Sequence, residues 1–138
     1  MLFRTEGVGQ FISGAILFDE TLRQKAADGT PLADIMQQQG IMTGIKVDKG
    51  AKPLAGALDD EKVTEGLDGL RDRLKEYYEL GARFAKWRAV IEIDNAERPS
   101  RQCIQANAEA LARYAALCQE NNLVPIVEPE VLMNGDHT

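Results

Sequence analysis

The 138-residue sequence, 44% hydrophobic and 28% charged, fits one globular unit, for which roughly 100 to 150 residues is the common size, and does not read as disordered. A formal net charge of -6 argues against a nucleic-acid surface, which needs net basic patches. No apolar run approaches the roughly 20 residues that span a bilayer, and the run from Met1 to Gly7 lacks the charged-then-apolar layout of a secretory signal. The expected location is therefore the cytoplasm, with neither nucleic acid nor membrane as a partner.

In chain order, residues 11–18 form the first apolar run that reads as a strand. It leads straight into Asp19, Glu20 and Thr21 with no Gly-rich phosphate loop, so a dinucleotide site has little support. A short helix follows, with Thr30 as its cap, Pro31 at the first helical position, Leu32, Ile35 and Met36 as an apolar set and Gly40 as the stop. Residues 43–47 read as the second strand. The acidic run Asp59, Asp60 and Glu61 reads as a solvated loop. A second helix is expected over residues 67–80, with Leu67, Leu70, Leu74 and Tyr77 on one face and Gly81 as a left-handed stop. Residues 84–93 read as the third strand. The third helix starts near Ser100, carries Ile104, Leu111, Tyr114 and Leu117 inward, and ends at Asn121 and Asn122. Residues 124–131 read as the fourth strand.

Cys103 and Cys118 fall on the third helix about 22 Å apart along its axis, too far to pair, and read as reduced packing residues. The lone His137, in a polar tail with no ligand-spaced partner, reads as solvated, and no metal or other cofactor is implied.

Strands alternating with helices require crossover connections and hence a parallel sheet. The class is α/β. A segment of a (β/α)8 barrel, about four parallel strands with connecting helices over residues 1–138, is favoured over an open sheet because charged residues gather near the carboxyl ends of the strands, where barrels build their sites. Successive strand residues face opposite ways. Lys46 and Asp48 therefore share a face, as do Lys86 and Arg88, and Glu128 and Glu130. Six charged side chains from three neighbouring strands would meet in one space, able to hold an anionic substrate beside a proton-transfer carboxylate. The competing reading is an ion-pair network plugging the barrel, yet apolar layers fill such interiors at lower cost. Trp87 has the opposite parity and is expected under a covering helix. Ser13 and Glu20 are further candidates for supporting the site.

Six runs carry a resemblance to the class I fructose-bisphosphate aldolases: Ile12-Ser13-Gly14-Ala15-Ile16-Leu17-Phe18, Gly44-Ile45-Lys46-Val47-Asp48-Lys49-Gly50, Pro53-Leu54-Ala55-Gly56, Gly66-Leu67-Asp68-Gly69-Leu70, Phe84-Ala85-Lys86-Trp87-Arg88 and Val124-Pro125-Ile126-Val127-Glu128-Pro129-Glu130. They stand in the family's order and cover nearly the whole sequence, which resembles strands two to five of the family's barrel. The resemblance implies a glycolytic and gluconeogenic enzyme that cleaves fructose 1,6-bisphosphate into dihydroxyacetone phosphate and glyceraldehyde 3-phosphate through a lysine Schiff base, without metal. It implies catalytic roles for Lys86, at the charges developing around the carbinolamine and the C4 hydroxyl, for Glu128, as general acid and base in water loss, and for Glu130, orienting the active-site lysine. Lys46 and Arg88 match residues placed for the distal phosphate, and Asp48 is grouped with them as substrate-binding.

The family's Schiff-base lysine lies in a Leu-Leu-Lys-Pro run on the sixth strand, and its first-strand aspartate precedes the region matched here. Both are expected outside these residues, in a longer parent chain that the resemblance makes a homo-oligomer. The alternative is a non-catalytic half barrel that binds a sugar phosphate. In either case the first and last strands are expected to present unpaired edges, leaving the isolated piece marginal or prone to association.

Overall fold

In a computed structural model, residues 5–94, 96–135 and 137 are described. Met1 to Arg4, read above for a leader, and Asp136 and Thr138 of the tail lie outside them. After a short 3-10 turn at Val8–Gln10, the elements run β1 (Gly14–Leu17), α1 (Asp19–Leu22), α2 (Leu32–Gln38), β2 (Met42–Lys46), β3 (Ala51–Pro53), β4 (Lys62–Thr64), α3 (Leu70–Glu79), β5 (Phe84–Ile91), α4 (Arg101–Glu120) and β6 (Val124–Val131). β1, β2, β5 and β6 make one parallel sheet in that order, and β3 and β4 form a separate antiparallel hairpin. The four expected strands and three expected helices are all present, in the parallel arrangement that crossover connections demand.

Helices cover one face of the sheet. Leu17, Ile45, Ala85, Trp87 and Ala89 on the strands, with Val47 just past β2, close a core against Met36 of α2, Leu70, Leu74 and Tyr77 of α3, and Leu111, Tyr114 and Cys118 of α4. Trp87 is fully buried and stacks on Tyr114, ring centroids 5.4 Å apart, as its parity led us to expect. The Tyr114 hydroxyl reaches the carbonyls of Ala85 at 2.7 Å and Ile126 at 3.1 Å, tying α4 to two strands. Both cysteines are free and buried on α4. Burial pushes the Cys118 thiol up to about 12, so it is an un-ionised packing group at neutral pH.

Several boundaries differ from expectation for local reasons. The first strand is shorter than the apolar run, because the chain makes its 3-10 turn first and leaves Phe11 exposed. α2 is capped one residue later, at Pro31 in place of Thr30; Thr30 is instead held in a turn, its N–H donating to Asp28 Oδ1 at 3.0 Å. α3 begins at Leu70, after Gly69 takes a left-handed φ of 64°. Gly81, φ 104°, follows α3 in the left-handed region expected of a stop. Ser100 does cap α4, its hydroxyl accepting the Cys103 N–H at 3.1 Å. Ile104, expected inward, is 47% exposed; it borders an apolar groove of about 400 Å³ between α4 and the strands β5 and β6, lined also by Ile91, Leu111, Val127 and Pro129. His137 is half-buried, with Nε2 3.1 Å from the Leu132 carbonyl, and is not the solvated residue expected.

The acidic loop corrects the sequence reading most. Asp59 and Asp60 are exposed, but Glu61 is buried at 4% exposure. Its carboxylate accepts the Ser100 N–H at 2.6 Å, the Ser100 hydroxyl at 2.7 Å and the Leu58 N–H at 3.2 Å, pinning the β3–β4 hairpin to the start of α4, where an anion is also favoured by the helix dipole. Farther along α4, buried Asn107 donates to the Lys62 carbonyl at 2.8 Å and accepts the Thr64 N–H at 3.3 Å. Burial pushes the Glu61 carboxyl up, but the Ser100 and Leu58 hydrogen bonds, with Arg98 nearby, outweigh it and hold the group below its ordinary value of 4.5. A folded-state pKa below the unfolded one contributes stability that is present above the unfolded value and lost as pH falls through the folded one. Acid titration of unfolding, followed by circular dichroism, is therefore expected to show a loss of stability below about pH 4.5 that is smaller in Glu61→Gln; identical acid limbs for the two proteins would show that the anchor carries no charge-dependent stability.

Candidate active site at the strand ends

The face of the sheet turned away from the helices has two levels. Toward the amino ends of the strands it is apolar, with Ile16, Met42, Phe84 and Ile126 part-exposed or exposed. Gly44 is required here: a Cβ at that position would lie 2.3 Å from the Phe84 ring, so only glycine lets the ring lie across β2. Toward the carboxyl ends the same face carries Lys46, Lys86, Arg88, Glu128 and Glu130, with Asp48 just past β2.

Strand register decides how these charges pair. Lys86 lies opposite Ile126 and Arg88 opposite Glu128, yet Lys86 Nζ pairs with Glu128 Oε2 at 2.9 Å and Arg88 pairs with Glu130. Each cation on β5 reaches the acid two residues farther along β6, the diagonal that long side chains span when they lean along their strands. Lys46 and Lys86 are direct neighbours across β2 and β5, an unfavourable placement for like charges. Each is met by its own acid, Lys46 by Asp48 at 2.5 Å and Lys86 by Glu128.

The sequence-derived candidates are therefore brought together, but not as one interleaved set. Two pairs cross from β5 to β6, while Lys46 is satisfied within its own segment by Asp48. Accessibility separates them further. The Lys86, Glu128, Arg88, Glu130 and Lys46 side chains are 27–41% exposed, open to an incoming molecule, whereas the Asp48 side chain is 3% exposed. Asp48 is also fully engaged: Oδ1 accepts the Gly50 N–H at 3.1 Å besides the Lys46 ammonium, and Oδ2 faces the Arg88 N–H at 3.4 Å. Three cations and three carboxylates balance, so an anion entering here exchanges places with carboxylates already bound to the cations. Donors already aimed at carboxylate oxygens can meet those of an anionic substrate once the carboxylates move aside.

Ser13 offers its carbonyl to the Met42 N–H at 2.9 Å, and Glu20 is exposed on α1. Residues that sequence reasoning passed over stand closer to the site. The Arg73 guanidinium of α3 donates to the carbonyls of Val47 at 3.0 Å and Gly66 at 2.5 Å, and the Thr64 hydroxyl donates to the Arg88 carbonyl at 2.7 Å. The apolar flank of Arg73, beside Leu70, Leu74 and Tyr77, was the only signal that it faces inward. Thr64, on a three-residue strand, had none. Among the described residues, no three His, Cys, Asp or Glu side chains gather as a metal site.

Comparison with known proteins bears on the fold and the family. The family model for fructose-bisphosphate aldolase class-I matches residues 1–138. A protein of Xanthomonas campestris pv. campestris named probable fructose-bisphosphate aldolase class 1 is 67% identical over 137 residues, which make up 99% of this chain and 40% of that protein. Fructose-bisphosphate aldolase 4, cytosolic, of Arabidopsis thaliana is 60% identical over 137 residues, 99% of this chain and 34% of its own length. The solved structure of fructose-bisphosphate aldolase from Plasmodium falciparum, in complex with TRAP and a small-molecule inhibitor, superposes with a TM-score of 0.93 at 55% identity, over 99% of this chain and 40% of that one. The chain thus spans two fifths or less of the length of these relatives. With its parallel strands, its covering helices and a family match from end to end, the chain belongs to the class I fructose-bisphosphate aldolases, as part of their (β/α)8 barrel.

Proposed function

We propose that this chain forms the substrate side of an active site that reversibly cleaves fructose 1,6-bisphosphate into dihydroxyacetone phosphate and glyceraldehyde 3-phosphate, with the Schiff-base lysine supplied from outside these 138 residues. The observation that carries the reading is the Lys86–Glu128 pair at 2.9 Å beside Arg88–Glu130, a cation and a proton-transfer carboxylate at one point on an open barrel face. The contact holds the carboxylate beside the cation on the face a substrate would meet, which is where a general acid and base is needed. The sequence contains no Leu-Leu-Lys-Pro run, so none of its own lysines matches the family's nucleophile.

In this reading the outside lysine attacks the ketose carbonyl. Glu128 delivers the proton with which water departs as the imine forms, and Lys86 offsets negative charge as it develops on the substrate oxygens. Glu130 orients the attacking lysine. Lys46 and Arg88 hold the distal phosphate, with Asp48 fixing Lys46 from below. A homo-oligomeric state belongs to the full-length protein, and a cytosolic location follows the name of the Arabidopsis relative.

Trapping distinguishes this reading from a half barrel that only binds a sugar phosphate. Borohydride added with dihydroxyacetone phosphate reduces an imine to a stable amine, detectable by mass. The full-length protein carrying this segment is expected to form the adduct on a lysine beyond residue 138, and the 138-residue chain none. An adduct mapped to Lys46 or Lys86, or no adduct in the full-length protein, would overturn the proposal.

A further inference from the structure

β2 and β5 are parallel partners only as far as Lys46 opposite Lys86, with one more ladder bond from the Val47 N–H to the Lys86 carbonyl at 3.1 Å. In an unbroken ladder the next donor, the Arg88 N–H, would find the Val47 carbonyl. That carbonyl is taken by Arg73. The chain then turns away into the hairpin: the Lys49 N–H donates to Glu65 at 2.8 Å, and the Glu65 N–H donates to Gly50 at 3.0 Å. The strand pairing therefore ends beside the residue whose guanidinium lies in the site. The N–H and C=O of Arg88 both point into the gap that β2 has left, because a residue's two main-chain groups lie on the same edge of a strand.

Side chains fill that gap. The Thr64 hydroxyl donates to the Arg88 carbonyl at 2.7 Å, and the Asp48 carboxylate faces the Arg88 N–H at 3.4 Å. Both residues are buried, and both are themselves tethered, Thr64 through its N–H to Asn107 Oδ1 on α4 at 3.3 Å and Asp48 through Gly50 and Lys46. Along that one edge Arg88 is thus held at both its N–H and its C=O, by groups that belong neither to its own strand nor to a paired one. On β6 the guanidinium has Glu130 as its partner. A loss of hold at the main chain moves the Arg88 Cα, and displacement of a positioning group by about 1 Å can cost on the order of 100-fold in a binding or rate constant.

We propose that Thr64, acting with Asp48, is a positioning residue for Arg88 and through it sets the affinity for the phosphate at the far end of the substrate. This rests on the reading of Arg88 given under the proposed function. The test compares Thr64→Val, which keeps the shape and removes the hydroxyl, with Thr64→Ser, which keeps the hydroxyl, in the full-length protein. Steady-state kinetics are measured with fructose 1,6-bisphosphate and with fructose 1-phosphate, which lacks the distal phosphate. Thr64→Val is expected to raise KM for the bisphosphate about tenfold, the effect of one hydrogen bond, with kcat and both constants for the monophosphate unchanged. Thr64→Ser is expected to restore the bisphosphate KM. Arg88→Ala in the same assay is expected to raise that KM at least as far.

If Arg88→Ala raises KM and Thr64→Val does not, the positioning role is wrong while the reading of Arg88 stands. If Arg88→Ala itself leaves the bisphosphate KM unchanged, the reading of Arg88 falls and this proposal with it. Equal losses on both substrates, or no recovery with serine, would mark Thr64 as a general structural residue and overturn the proposal. Should valine prevent folding, as judged by circular dichroism, Thr64→Ala removes the same hydroxyl and the same comparison decides.

Discussion

Lys86→Ala in the full-length protein is expected to lower kcat for fructose 1,6-bisphosphate cleavage roughly 100- to 1,000-fold, the loss seen when a group aimed at developing charge is removed, and Glu128→Gln roughly 100- to 10,000-fold, the range for a proton-transfer group. Stability is expected to change little. Lys86 and Glu128 are each more than a quarter exposed, and ion pairs that water reaches contribute about 0–1 kcal/mol. A rate loss of this size without a matching loss in the unfolding midpoint separates chemistry from folding. Because the two residues share one contact, their effects are expected to overlap, so the double variant should lose much less than the product of the single losses. Turnover within tenfold of the unaltered protein in either single variant would remove that residue from the catalytic set.

Trp87→Ala carries the largest expected effect on stability, about 3–5 kcal/mol. Trp87 has no exposed surface and lies between β5 and α4 against Tyr114, so truncation opens a cavity that the surrounding sheet and helix cannot easily close. Against a total of about 5–15 kcal/mol for a typical domain, this is a large share. Urea unfolding of the full-length protein measures it; a midpoint unchanged by Trp87→Ala would show that the β5–α4 seam is not where the stability of this segment resides.

How much could be read in advance depended on how far apart the interacting residues lie in sequence. Lys86 and Arg88 could be assigned to a face from their spacing alone, because side-chain direction alternates in any strand. Trp87 could be assigned to the opposite face by the same rule, and α4 announced itself through Ser100 and a long apolar stripe. The diagonal by which Lys86 finds Glu128 needed the register of β5 against β6, which alternation does not fix. Glu61 was misread because its acidic neighbours mark a loop, while the group that buries it, Ser100, lies 39 residues away. Thr64 was missed for a related reason. β3 and β4 have three residues each, too few for any period to show, and the value of the threonine lies in a carbonyl that β2 leaves unpaired 24 residues on. Ile104 shows the converse: its spacing was right for an inward face, but burial also requires something to cover it.

Trp87 is the single tryptophan of the sequence, and its indole Nε1 is buried with no hydrogen-bond partner among the described residues. An indole held in apolar surroundings without a polar partner emits at shorter wavelength than one in water. Tyr114, stacked 5.4 Å away, is close enough to pass its excitation to the same ring. The segment therefore carries its own optical probe at the seam between β5 and α4, and a red shift in that emission reports the seam opening without any label.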